Sequence, residues 1–109
     1  MAIEHAVSGQ VIDMTPFGER LAGQSTHAVF KARDLEVMRL VLPAGKGLPP
    51  HKVPGEVTIQ CIEGRLEISL PTGRSTLAPG QLMLLSGGEV HGVTALEDAS
   101  ALVTVSLRR

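Results

Sequence analysis

The sequence predicts an all-β chain, an antiparallel barrel or jelly roll built from short strands. Three observations carry that prediction. The 12 glycines and 7 prolines are spread along all 109 residues, and they cut the apolar residues into about eight to ten short runs, the pattern of strands joined by tight turns. The run 65–70 alternates strictly, with Leu66, Ile68 and Leu70 on one side and Arg65, Glu67 and Ser69 on the other; this is the two-residue period of a half-buried strand. Beyond residue 21 no segment keeps the 3.6-residue period of a helix.

Taken in order, residues 11–14 read as an edge strand. Thr15-Pro16 reads as a helix cap followed by a proline in the first helical position, so one helical turn is expected over 16–21. Strands are expected at 25–31 and 35–42, the second ended by Pro43-Ala44-Gly45. The Gly/Pro-rich stretch 45–55 reads as a loop. Further strands are expected at 57–62, 65–70 and 75–77, separated by turns at Glu63-Gly64 and Pro71-Thr72-Gly73. Leu82 to Leu85 is a continuous apolar run, as expected of a strand covered on both faces. Strands at 90–95 and 101–107 complete the set. The expected organisation is one domain over 1–109, with an N-terminal arm and edge strand over about 1–24 and the barrel over about 25–107.

Composition excludes several function classes. Apolar residues are 43% and charged residues 19% of the chain, a globular balance. The net charge is −1, with no basic excess to attract nucleic acid. Phe17 and Phe30 are the only aromatic residues, so no base-stacking platform can be built. No apolar run is long enough to span a membrane. Residues 1–10 carry Glu4 and His5 and no hydrophobic signal core. Cys61 is the one cysteine, which rules out an internal disulfide and fits a reducing cytoplasm.

Two stretches stand out together. The first runs from Gly45 through His51, Val53, Glu56 and Val57 to Gly64. The second runs from Gly80 through Ser86, Gly88 and His91 to Ala95. They resemble the two motifs of the cupin superfamily, G-x5-H-x-H-x3-E-x6-G and G-x5-P-x-G-x2-H-x3-N. Gly45, His51 and Gly64 match the first, and Gly80, Gly88 and His91 match the second. Ser86 replaces the proline and Ala95 the asparagine. The resemblance covers roughly 35–107. It implies a jelly-roll barrel of the RmlC-like type, a homodimer joined through a sheet face or an exchanged N-terminal strand, and a divalent metal held by three histidines and a glutamate.

The carry-over of that metal site is partial. His51 and His91 occupy the first and last histidine positions, but Val53 stands at the second and Val57 at the glutamate, and a valine has no donor atom. Strand alternation puts Val57, Ile59 and Cys61 on the interior face and Glu56 on the other. Glu56 would reach the interior only through a bulge at Pro54-Gly55. His27, on a preceding strand, is the other conceivable ligand. Two histidines without a carboxylate fall short of the usual zinc and Fe(II) sets, so a divalent metal (Zn, Fe, Mn or Ni) is expected to bind weakly or not at all.

Two readings of His51 and His91 follow. They are hydrogen-bonded residues of the barrel interior left over from a metal site, or they are the polar groups of an aliphatic pocket walled by Met38, Leu40, Val53, Val57 and Ile59. The second makes the chain a small-molecule-binding protein without membrane or nucleic-acid partners. Its rivals are a metal-dependent dioxygenase or isomerase using both histidines and a further ligand, and a sensor module acting through a partner. Arg39, between Met38 and Leu40, is expected on the outer face of its strand, at an edge or a subunit contact.

Overall fold

The computed structural model describes residues 5–108; of the arm expected over 1–24, residues 1–4 lie outside the described residues. Alternation of apolar side chains drives nine strands into two antiparallel sheets among these residues. They are β1 (His27–Lys31), β2 (Leu35–Leu42), β3 (Gly47–His51), β4 (Val57–Glu63), β5 (Leu66–Leu70), β6 (Gly73–Leu77), β7 (Leu82–Leu85), β8 (His91–Ala95) and β9 (Ala99–Ser106). The larger sheet runs β1-β2-β9-β4-β7 and the smaller β3-β8-β5-β6. Consecutive strands fall in different sheets at several points, which is how a jelly roll closes a core between two layers.

Register fixes what each face carries. In the β2–β9–β4 ladders Leu40 lies opposite Ala101, and Cys61 also lies opposite Ala101. Residues directly opposite share a face, so Met38, Leu40, Leu42, Ala99, Ala101, Val103, Val57, Ile59 and Cys61 all point inward. They meet Leu66, Ile68, Val93 and Ala95 of the smaller sheet in one core.

The outer face of β2 is buried too, by the N-terminal segment. Arg39 is only 2% exposed. Its Nη2 donates to the Thr15 carbonyl (2.8 Å), the Ser100 hydroxyl (3.1 Å) and the Glu63 carboxylate (3.2 Å), and its guanidinium lies 3.8 Å from the Phe17 ring centroid. Glu63 accepts in turn from the backbone N–H of Phe17 and Gly18 and from the Ser100 hydroxyl. Arg39 therefore faces outward, as alternation requires, but it is neither at an edge nor exposed. The arm folded over it was not foreseen.

Several sequence expectations are corrected here. Residues 11–14 form no strand; the segment runs as irregular backbone toward Arg39. The helical turn is a 3-10 helix at Gly18–Gly23, capped through space by Glu63 and not by Thr15, which accepts from Arg39 instead. The expected loop at 45–55 contains β3. Prolines 49 and 50 are compatible with it because β3 is an edge strand pairing only with β8, where a missing N–H costs no ladder bond. Leu82–Leu85 is not covered on both faces: β7 is also an edge, and Leu82 and Leu84 are 62% and 63% exposed. Apolar periodicity cannot show that nothing is packed against an outer face.

Gly64 and Gly80 hold φ of +79° and +88°, which side chains avoid. Gly64 is additionally pressed against the entry to β9, where a Cβ would overlap the Asp98 carbonyl oxygen and Ala99. Gly64→Ala is expected to destabilise the protein by about 2 kcal/mol or more, through backbone strain and overlap together, measured by denaturant unfolding. Burial pushes the Glu63 carboxyl up, but the bonds from Ser100, Phe17 and Gly18 and the charge of Arg39 outweigh it, and its pKa lies below the ordinary 4.5. Its stabilisation is therefore complete above pH 4.5 and is lost as pH falls through the lower folded value. Glu63→Gln should cost about 2 kcal/mol at neutral pH, by leaving Arg39 without a counter-charge, and should flatten the acid side of a melting-temperature profile.

Candidate functional site

The site begins with an irregularity in β3. Gly47 and Leu48 pair with Thr94 and Val93 of β8, but His51 pairs with His91, one step out of register. Without that extra residue, strict alternation would turn Leu48 and His51 to opposite faces. The bulge across Pro49-Pro50 restores His51 to the inward side. Opposite residues share a face, so the two imidazoles meet, with centroids 4.5 Å apart and planes inclined by 54°. Gly92, next to His91, makes room for this edge: a Cβ there would press on the Ser69 hydroxyl and the Pro50 ring.

His91 is 4% exposed and His51 is open to solvent. Each is oriented by its own chain. Nδ1 of His51 lies 3.1 Å from the Pro49 carbonyl oxygen, and Nδ1 of His91 lies 3.1 Å from that of Glu89. This repeated two-residue bond holds both rings by Nδ1 and leaves Nε2 as the working nitrogen of each.

Behind the pair is a cavity of about 170 Å³ between the sheets. His51 and His91 lie on its wall with Met38, Leu40, Val53, Val57 and Ile59, the residues singled out from the motif register. Leu48, Val93, Val103 and Val105 were not singled out, though inward alternation along β9 and β8 would have found three of them. Glu36 was also missed. It lies on the inward side of β2 opposite Val105 and lines the same cavity. The signal was its two-residue spacing from Met38, obscured because a charged residue is ordinarily assigned to the solvent face.

The suggested extra ligands stand elsewhere. Glu56 is exposed, outside the cavity, and no bulge at Pro54-Gly55 turns it inward. His27 pairs with Arg39 in the β1–β2 ladder and therefore lies on the outer face. It lines a separate hollow with Phe17 and Asp13, and its Nδ1 is taken by the Ser25 carbonyl. Cys61 is fully buried in the core, where burial pushes its thiol pKa up. Among the described residues no three His, Cys, Asp or Glu side chains are grouped to hold a metal ion. With valines at two of the four positions, the donor set does not fit the metal of the resembling motif.

No family profile matches the sequence, and no curated protein matches it. Solved structures match its fold. KdgF from Halomonas sp. is 24% identical, with 77% of this chain aligned to 80% of that one at a TM-score of 0.71. A conserved protein of unknown function from Streptococcus pyogenes is 20% identical, covering 100% of this chain and 96% of that one at 0.77. An RmlC-like cupin from Desulfovibrio desulfuricans is 22% identical, covering 97% of each chain at 0.70. Identities this low carry the fold alone, and the last two carry it over almost the whole length. With its two antiparallel sheets closed as a jelly roll around one core, the chain shares its fold with these solved structures, an RmlC-like cupin among them.

Proposed function

We propose that this chain is a small-molecule-binding cupin that uses His51 and His91 as the polar groups of an aliphatic cavity and holds a divalent metal weakly or not at all. The observation that carries the proposal is the pairing of two oriented imidazoles at 4.5 Å over a cavity otherwise walled mainly by aliphatic side chains. A small apolar enclosure with a few convergent polar groups is the usual form of a ligand site. The aliphatic lining suits a compact, non-aromatic molecule.

Metal analysis tests the proposal directly. After dialysis the purified protein should retain well under one equivalent of Zn, Fe, Mn or Ni. Stoichiometric metal would overturn it in favour of a metal-dependent enzyme that uses both histidines and a further ligand. Restoring the missing donors with the double substitution Val53→His and Val57→Glu should raise affinity for Zn²⁺ or Mn²⁺ by at least tenfold, read by calorimetry, because the added side chains arise from wall positions of the same cavity.

The homodimer implied by the resemblance belongs to the same proposal. Strand β7 is an edge whose outer face is the uncharged pair Leu82 and Leu84, and a free edge offers unpaired N–H and C=O groups to a second copy of itself. Sedimentation should give a dimer for the parent chain and a monomer for the Leu82→Lys, Leu84→Lys variant. A monomeric parent would remove this part of the proposal.

A further inference from the structure

The cavity is unusual in the sign of its hydrogen bonding. A carbonyl oxygen can only accept, so the bonds to Pro49 and Glu89 place the proton of each neutral imidazole on Nδ1 and leave each Nε2 a bare acceptor. The third polar side chain is Glu36, which enters from β2 in the larger sheet, while the histidines stand on β3 and β8 in the smaller one. An ionised carboxylate is also acceptor-only. The nearest cation in the ladder is Lys31, opposite Glu36 across β1–β2. The ion pairs among the described residues are Arg39–Glu63, Arg65–Glu97 and Arg74–Glu67, and Glu36 is in none of them.

From this arrangement we infer that the cavity selects a small aliphatic molecule whose polar end donates hydrogen bonds, a primary ammonium above all and an alcohol next, and that it rejects carboxylates. The inference rests on the reading of the cavity as a ligand site. An ammonium carries three donors and no acceptor; it matches the imidazole Nε2 atoms, and the Glu36 charge on the facing wall favours a cation in the cavity over an anion. A carboxylate would find acceptors on both walls, and an unmatched polar group in such a site costs far more than a misplaced methylene. At about 170 Å³ the space holds on the order of six non-hydrogen atoms, taking ~30 Å³ for each.

The test is a titration of the intact chain with three probes of one shape, n-butylamine, 1-butanol and butyrate, at pH 8, where imidazoles are ordinarily neutral. Binding is followed by NMR on the methyls of Val57, Ile59 and Val103 and on both imidazoles. The amine and the alcohol should produce saturable shifts at these groups, with butyrate at least tenfold weaker. Glu36→Gln, at a partly exposed position, should fold normally. It should weaken the amine at least threefold while leaving the alcohol within twofold. If butyrate binds as well as the amine, or Glu36→Gln leaves the amine unaffected, the selectivity is wrong and the ligand-site reading stands. If none of the three probes shifts the cavity resonances, the ligand-site reading falls and the selectivity falls with it.

Discussion

Side chains on a β-strand alternate between its two faces, and in the larger sheet that alternation divides the molecule into two environments. The even-numbered residues of β2, the odd-numbered residues of β4 as far as Cys61 and those of β9 point between the sheets, where they form the core and the cavity; past a shift of register after Cys61, Glu63 points outward. Their neighbours point outward, and over β2 and β9 these include Arg39 and Ser100, 2% and 1% exposed. A one-residue slip in any of the three strands would exchange its two sets, and in β2 it would drive the Arg39 charge into the apolar core. The register of this sheet is the condition for everything else in the structure.

On the outer side, a polar network holds the N-terminal arm in place of an apolar patch. Bonds to charged groups contribute about 1.5–3 kcal/mol each, but burying Arg39 and most of Glu63 costs several kcal/mol per ion. The arrangement is favourable only because nearly every donor and acceptor is met: Thr15 and Ser100 satisfy Arg39, and Phe17, Gly18 and Ser100 satisfy Glu63. The Arg39 Nε is the exception, buried with no acceptor, and its cost is set against the Phe17 ring lying on the guanidinium. The same carboxylate caps the 3-10 helix, so local structure near residue 18 depends on a residue 45 positions away.

On the inner side, the cavity departs from the alternation in one place, and that departure makes the site. The bulge in β3 brings His51 and Leu48 to the same face and sets His51 opposite His91. Carbonyls two residues earlier then orient both rings. Two neighbouring imidazoles, each held through Nδ1, thereby line an aliphatic interior to which Glu36 of the other sheet also contributes.

Much of this was legible in the chain. The alternation in β4 and β5, the apolar length of β2, and the spacing of His51 and His91 against Gly45, Gly64, Gly80 and Gly88 were enough to read an all-β jelly roll and the inward facing of Val57 and Ile59, because a two-residue period is a local property of the backbone. Partnership was not legible. Whether a run is central or at an edge depends on which strand docks beside it; β3 therefore reads as a loop and β7 as a buried strand. Glu36 and Arg39 carry charges that composition assigns to solvent, yet one faces the cavity and the other lies beneath the N-terminal arm. Their surroundings are made by segments distant in sequence, and only the folded chain brings those segments together.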